Sequence, residues 1–198
     1  MSQLILNRYE QNDQGAFIID VAAERVEDLF SNFDKRAPYI RRDLDQAFVD
    51  YLIDCAREIG HDPFVIRIEL THPADDSKRQ RIVKSISSYF LYLRELEKDL
   101  LRHMFRRSAI LLNIGLAILF LSVFFNQWLG EERSVVANVF AEGLTVAAWV
   151  SLWESLAVFL IEWLPHRKTI ALYLYLSSTP VNFPSTHDIN PAFLAPNK

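Results

Sequence analysis

The chain has 198 residues and a formal net charge of −4, with a pI near 5.7, so no basic signature points to nucleic acid as a partner. Charged residues make up 23% of it and hydrophobic ones 51%, at a mean hydropathy of +0.06, a combination that requires the charges to be segregated. Residues 1–107 hold 17 of the 21 Lys/Arg and 19 of the 25 Asp/Glu, which reads as a soluble part followed by a membrane part.

The opening MSQLILNRYEQND has no basic leader, and its apolar core is too short for a secretory signal. QLILNRY reads as a strand, QNDQG as a turn, and AFIID as a second strand that passes into helix-like spacing over VAAERVEDLF. RRDLDQAFVDYLIDCAREIG predicts an amphipathic helix. Leu44, Phe48, Tyr51, Leu52, Cys55 and Ile59 recur at steps of three and four, with Asp43 as N-cap and Gly60 as the stop. FVIRIEL alternates as a strand should, Phe64, Ile66, Ile68 and Leu70 facing one way and Arg67 and Glu69 the other. The expected order is strand, strand, helix, helix, strand, helix. Cys55 is the single cysteine, which excludes an intramolecular disulfide and suits a reducing compartment.

From Arg79 to Arg107 there is no proline or glycine. Ile82, Ile86, Tyr89, Leu93, Leu96 and Leu100 follow a 4-3-4-3-4 spacing, a heptad seam of about two and a half repeats. It either packs on the chain's own sheet or forms a self-association surface. The basic run Lys78, Arg79, Arg81 and Lys84 reads as a solvated helix start or as a contact for anionic headgroups or an acidic partner.

Ser108–Leu129 is 22 residues without a charge. At 1.5 Å per residue it covers roughly 33 Å, close to the hydrocarbon thickness of a bilayer. GEERS is a very short turn, and Val135–Leu164 is apolar and long enough to return, with Glu142 and Glu162 at its two ends and Trp128 and Trp163 as interface anchors. Lys98, Arg102, Arg106 and Arg107 precede the first run, Arg167 and Lys168 follow the second, and only Arg133 lies between. Both termini are therefore expected in the cytoplasm.

Glu154 is the one charge well inside a predicted span, and an intramembrane carboxylate defaults to a functional hypothesis. Pairing Leu129 with Val135 makes opposed residue numbers sum to about 264. Glu154 then falls near Ile110, in reach of a polar cluster with Asn113, Ser151 and Arg107. A proton- or ion-coupled role and a contact with a membrane partner are the alternatives. Trp149 and Trp153 share a face that packs, meets lipid or marks an interface. Gly115 and Gly143 permit close helix approach, though neither belongs to a GxxxG pair.

His61, His72, His103, His166 and His187 are scattered without metal-ligand spacing. No phosphate-binding glycine motif or nucleophile elbow occurs. No catalytic, cofactor-binding or metal residue is therefore assigned, and no cofactor is expected. The segment HRKTIALYLYLSS either continues the helix along the membrane surface or folds back on the first domain. The proline-rich remainder reads as an extended tail, in which Phe183 and Phe193 are docking candidates.

Glu142-Gly143-Leu144, Trp149-Val150, Leu152-Trp153 and the exit Trp163-Leu164-Pro165-His166-Arg167 resemble a pattern in small bacterial inner-membrane proteins of uncharacterised activity. The resemblance implies a charged α/β domain ahead of a two-helix hairpin in a bacterial inner (plasma) membrane, and imports no activity.

The expected architecture is an α+β membrane protein. A cytoplasmic α/β domain (1–78) sits on a connecting helix (79–107) that runs into an antiparallel two-helix transmembrane hairpin (108–129 and 135–164, joined by an external turn, 130–134). A cytoplasmic amphipathic segment and tail (165–198) follow. The expected work is non-enzymatic: an accessory, scaffold or sensor subunit whose partners are the lipid bilayer and a membrane protein or a second copy. A homo-oligomeric pore or ion-coupled element using Glu154, and a membrane-tethered enzyme with a pocket at His61, His72 and Asp75, are the alternatives.

Overall fold

The structure is a computed structural model and describes residues 6–32, 42–72, 74–128 and 135–184. It divides into two compact units, one drawn from Met1–Arg94 and Ala171–Lys198, the other from Glu95–Ile170. The strands are β1 (Phe17–Ala23), β2 (Phe64–Leu70) and β3 (Val181–Asn182); the helices are α1 (Gln46–Ile59), α2 (Asp76–Trp128), α3 (Val135–Ala157) and α4 (Trp163–Ser178), with a π turn at Val158–Glu162 between α3 and α4. Two of the helical stretches are long and apolar enough to cross a membrane.

In the first unit the three strands form a parallel sheet in the order β1-β2-β3. The register pairs Phe17 with Phe64, Ile19 with Ile66 and Val21 with Ile68, so the period-2 alternation of both strands places these six on one face. All six are buried, beneath Leu52 and Ala56 of α1, Ile82, Ile86 and Phe90 of α2, and Leu176 of α4. Each fully buried aliphatic or aromatic side chain contributes about 1.5–3 kcal/mol, which makes this layer the main source of stability in the unit. The opposite face is mixed, with Ile18, Ala22 and Val65 beside Asp20, Arg67 and Glu69. There the Arg67 guanidinium donates to Glu10 at 2.9 Å and to Asp20 at 2.8 Å.

The ends of the elements have local causes. Asn12 Oδ1 accepts from the backbone N–H of Gln14 and Ala16, and Gly15 takes φ +78°, which turns the chain into β1. Asp45 caps α1 by accepting from the N–H of Ala47 and Phe48. Gly60, at φ +81°, ends the helix.

Three expectations are corrected here. The described part of QLILNRY is a turn, closed by the Tyr9 N–H on the Leu6 carbonyl at 3.1 Å, and not a strand. The stretch VAAERVEDLF is not a helix. Its first three residues complete β1, because Val21 continues the buried alternation against β2, and only Val26–Leu29 winds, as one 3-10 turn. The cap of α1 is Asp45 and not Asp43.

The segment after the second apolar run folds back on the first unit. Leu176 is buried, Leu172, Tyr173 and Tyr175 pack against the core, and the Tyr175 ring meets Phe64 edge-on at 4.9 Å. Val181 and Asn182 then pair with Ile66 and Arg67 of β2. Phe183 lies beneath the Arg79 guanidinium, 5.9 Å from its centre. The stretch from Thr71 to Pro180, with α2, α3 and α4 inside it, is thus the crossover between two parallel neighbours. The turn 130–134, Phe193 and the tail from 185 lie outside the described residues.

The second unit holds the later part of α2, α3, the π turn and the start of α4. Side chains meet at four levels: Ser122 Oγ and Thr145 Oγ1 at 2.9 Å, Gly115 against Ser151, the Phe105 and Phe159 rings at 5.2 Å, and Glu97 Oε1 with His166 Nδ1 at 2.6 Å.

Candidate functional site

The contact between the apolar helices is built from small residues. Ser108, Gly115 and Ser122 recur at intervals of seven on α2 and are buried. Opposite them on α3 stand Thr145, Ala148, Ser151 and Ser155, of which Ala148 and Ser155 are fully buried. A Cβ added at Gly115 would lie 3.0 Å from Ser151 Cβ and 3.4 Å from the Ala148 carbonyl oxygen, so the absence of a side chain sets this approach. The hydroxyls are satisfied locally, Ser155 Oγ donating to the Ser151 carbonyl at 2.9 Å and Ser151 Oγ to the Ala147 carbonyl at 3.0 Å. The heptad Ser108-Gly115-Ser122 is the sequence signal for this seam, and a search limited to GxxxG misses it.

No hydrogen bond or ion pair joins Glu154 to the residues expected around it among the described residues. Asn113 Nδ2 donates to the Ala109 carbonyl of its own helix at 2.7 Å, and Ser151 is bound to its own helix as described. Arg107 is exposed. Glu154 is exposed on α3 and has no hydrogen bond or ion pair among the described residues. The physical reason is that Asn and Ser reach the carbonyl four residues back more easily than they reach across a helix pair. Trp149 (65% exposed) and Trp153 (71%) stand beside Glu154. With Val150 and Ala157 they line a shallow groove of about 540 Å³.

The other candidates divide. Ile82 and Ile86 are in the core of the first unit, Tyr89 and Leu93 pack partly against it, and Leu96 and Leu100 are exposed. The first half of the heptad seam therefore serves the chain's own sheet. Arg102 pairs with Asp99 and Lys98 with Glu95, each within one helical turn. Arg106 and Lys168 are exposed, and the Arg167 guanidinium lies 5.1 Å over the Trp163 ring. Sequence reasoning missed the half-buried Glu97–His166 pair, although the 264 offset places residue 97 opposite residue 167.

His61 and His72 lie at opposite ends of β2, a strand of 7 residues, so some 20 Å or more separates them and they share no site. The His72 backbone N–H donates to the Glu24 carbonyl at 3.0 Å. Among the described residues no group of three or more His, Cys, Asp or Glu is arranged to hold a metal ion. Cys55 is buried. Beside it the Tyr9 hydroxyl donates to Glu58 at 2.7 Å, and burial, then bonding to Cys55 and Glu58, pushes the Tyr9 pKa above its ordinary value.

Comparison with protein-family models, curated proteins and solved structures gives no match.

Proposed function

We propose that the protein is a two-span integral membrane protein of a bacterial inner membrane, with both flanks of its helix pair in the cytoplasm. It acts without chemistry of its own, as an accessory, scaffold or sensor subunit of a larger membrane assembly. The observation that carries this reading is the composition of the first unit, to which residues before the first apolar run and after the second both contribute, through one sheet. A folded unit lies on one side of a bilayer, so the chain between its two parts must cross an even number of times. The most apolar windows of the two long helical stretches are only 17% and 11% buried. A core helix of a soluble protein hides such a window, whereas lipid is the natural solvent for an exposed one.

The four side-chain contacts support an antiparallel hairpin, since the paired residue numbers add to between 263 and 267 at every level. Lys/Arg placement supports the cytoplasmic orientation. A partner-dependent role is favoured because the contact at Gly115 is too close for a water path between these two helices.

Reporter fusions at residue 1, within 130–134 and at residue 198 test the threading: both ends are expected inside and the turn outside, and ends on opposite sides would overturn it. Mild extraction of the tagged protein tests the role. A particle much heavier than the 23.0 kDa chain and its detergent is expected, and a lone monomer would overturn it.

A further inference from the structure

We propose that the exposed face of α3 around Glu154 receives a transmembrane helix of a different protein, and that this helix carries a basic side chain at the depth of Glu154. The inference rests on the membrane reading above and names the chemistry of the partner.

Three observations carry it. Glu154 lies twelve residues from Glu142 and eight from Glu162, about 18 Å and 12 Å along the helix from the two carboxylates that mark the ends of the span, so it faces hydrocarbon if nothing covers it. Its side chain is exposed beside the buried seam of Ala148 and Ser155 and has no hydrogen bond or ion pair among the described residues, and Asn113 and Ser151 are bound to their own helices. Intramembrane charges pair or line a cavity, and an exposed one with no internal partner calls for an external one.

The surroundings specify the sign and shape of that partner. Trp149 and Trp153 present exposed indole rings on the same groove as Glu154, and that groove reaches Ala157, where a small side chain admits a neighbouring backbone. A cation entering there meets a carboxylate for pairing and indole faces for cation–π attraction. A guanidinium satisfies both because it is planar and stacks while it donates. A second copy fits poorly. Two copies inserted the same way and related by a two-fold axis along the membrane normal set Glu154 against Glu154, and like charges in a low dielectric repel.

The test places the full chain in neutral phosphatidylcholine vesicles with synthetic single-span Leu/Ala peptides that insert equally well. The peptides carry Arg, Gln, Glu or Leu at the depth of Glu154 and an adjacent dansyl group, and association is read as energy transfer from the protein's tryptophans. The Arg peptide is expected to associate at about a tenfold lower peptide-to-lipid ratio than the Leu or Gln peptide. Glu154→Gln should erase that preference and Glu154→Asp should retain most of it. Equal association of the Arg and Leu peptides would overturn the proposal. So would an unchanged preference in Glu154→Gln, since only the charge then differs, or chain-to-chain crosslinking at Trp149→Cys that excludes the peptide. Failure of the chain to enter the vesicles would overturn the membrane reading as well, whereas entry without discrimination overturns the partner alone.

Discussion

The two units of this chain solve packing in opposite ways. The sheet unit closes on large side chains: Phe90, Ile66, Leu52 and Ile19 are fully buried, and each strand alternates so that one face is apolar and the other holds Arg67 between Glu10 and Asp20. The helix pair closes on Ser108, Gly115, Ser122, Ala148 and Ser155, while Phe120, Phe140, Val135 and Trp153 stand 71–80% exposed. Water rewards hiding large apolar groups, so a water-solvated unit puts them inside. Lipid gives no such reward, and on the proposed membrane reading what remains is backbone approach across small residues. One chain thus carries two inversely arranged cores, and substitutions should separate them.

The largest effect is expected in the sheet unit. Phe90→Ala empties a fully buried site and should cost about 3–5 kcal/mol. Cys55, buried and the single cysteine, reports it directly: its labelling by a maleimide at neutral pH should accelerate sharply, while crosslinking across the helix pair stays intact. The converse change is Gly115→Leu. Ser151 Cβ stands 3.0 Å from where even a Cβ would be, so the helices must part, at a cost of about 1–3 kcal/mol. A Ser122→Cys, Thr145→Cys pair, at positions whose oxygens are 2.9 Å apart, should lose disulfide yield in that background with Cys55 protection unchanged. If either substitution disturbs both readouts, the two cores are one.

How much of this was visible in the residues follows the same division. FVIRIEL was legible to its ends, as Phe64–Leu70, because alternation, an upstream proline and a polar loop all agree. The continuity of α2 was legible because nothing in Arg79–Arg107 breaks a helix. β3 was not legible. Val181 and Asn182 are two residues in a proline-flanked stretch, and what makes them a strand is a β2 neighbour more than a hundred residues away. Local pattern cannot report a pairing so distant. The hydrogen bonds of Asn113 and Ser151 were not legible either, because each has a carbonyl one turn back on the same helix, a partner that an offset between helices does not reveal.

A smaller effect sharpens the contrast through pH. All seven tyrosines lie in 1–94 or 171–198, and none in 95–170. Burial pushes the Tyr51 hydroxyl up to about 12 and raises those of Tyr9 and Tyr89. The folded state then keeps protons that the unfolded chain releases above a pH of about 10. Stability of the sheet unit should be flat below that point and fall as pH rises toward 12, while the helix pair shows no matching loss. Urea unfolding followed at several alkaline pH values checks this, and Tyr51→Phe should flatten part of the slope.

The smallest expected effect is the most diagnostic of solvent. Asn113 is exposed and its amide is already spent on the Ala109 carbonyl. In a water-facing helix, Asn113→Leu would add an exposed apolar group and lower solubility. In a lipid-facing helix it removes a polar group that gains nothing from its surroundings, so the change should be neutral or mildly stabilising, within about 0.5 kcal/mol. The Ser122→Cys, Thr145→Cys disulfide yield should therefore hold in Asn113→Leu, and insertion should not fall. A clear loss of either would mean that Asn113 meets water or a polar partner, and that its face of the helix does not meet lipid.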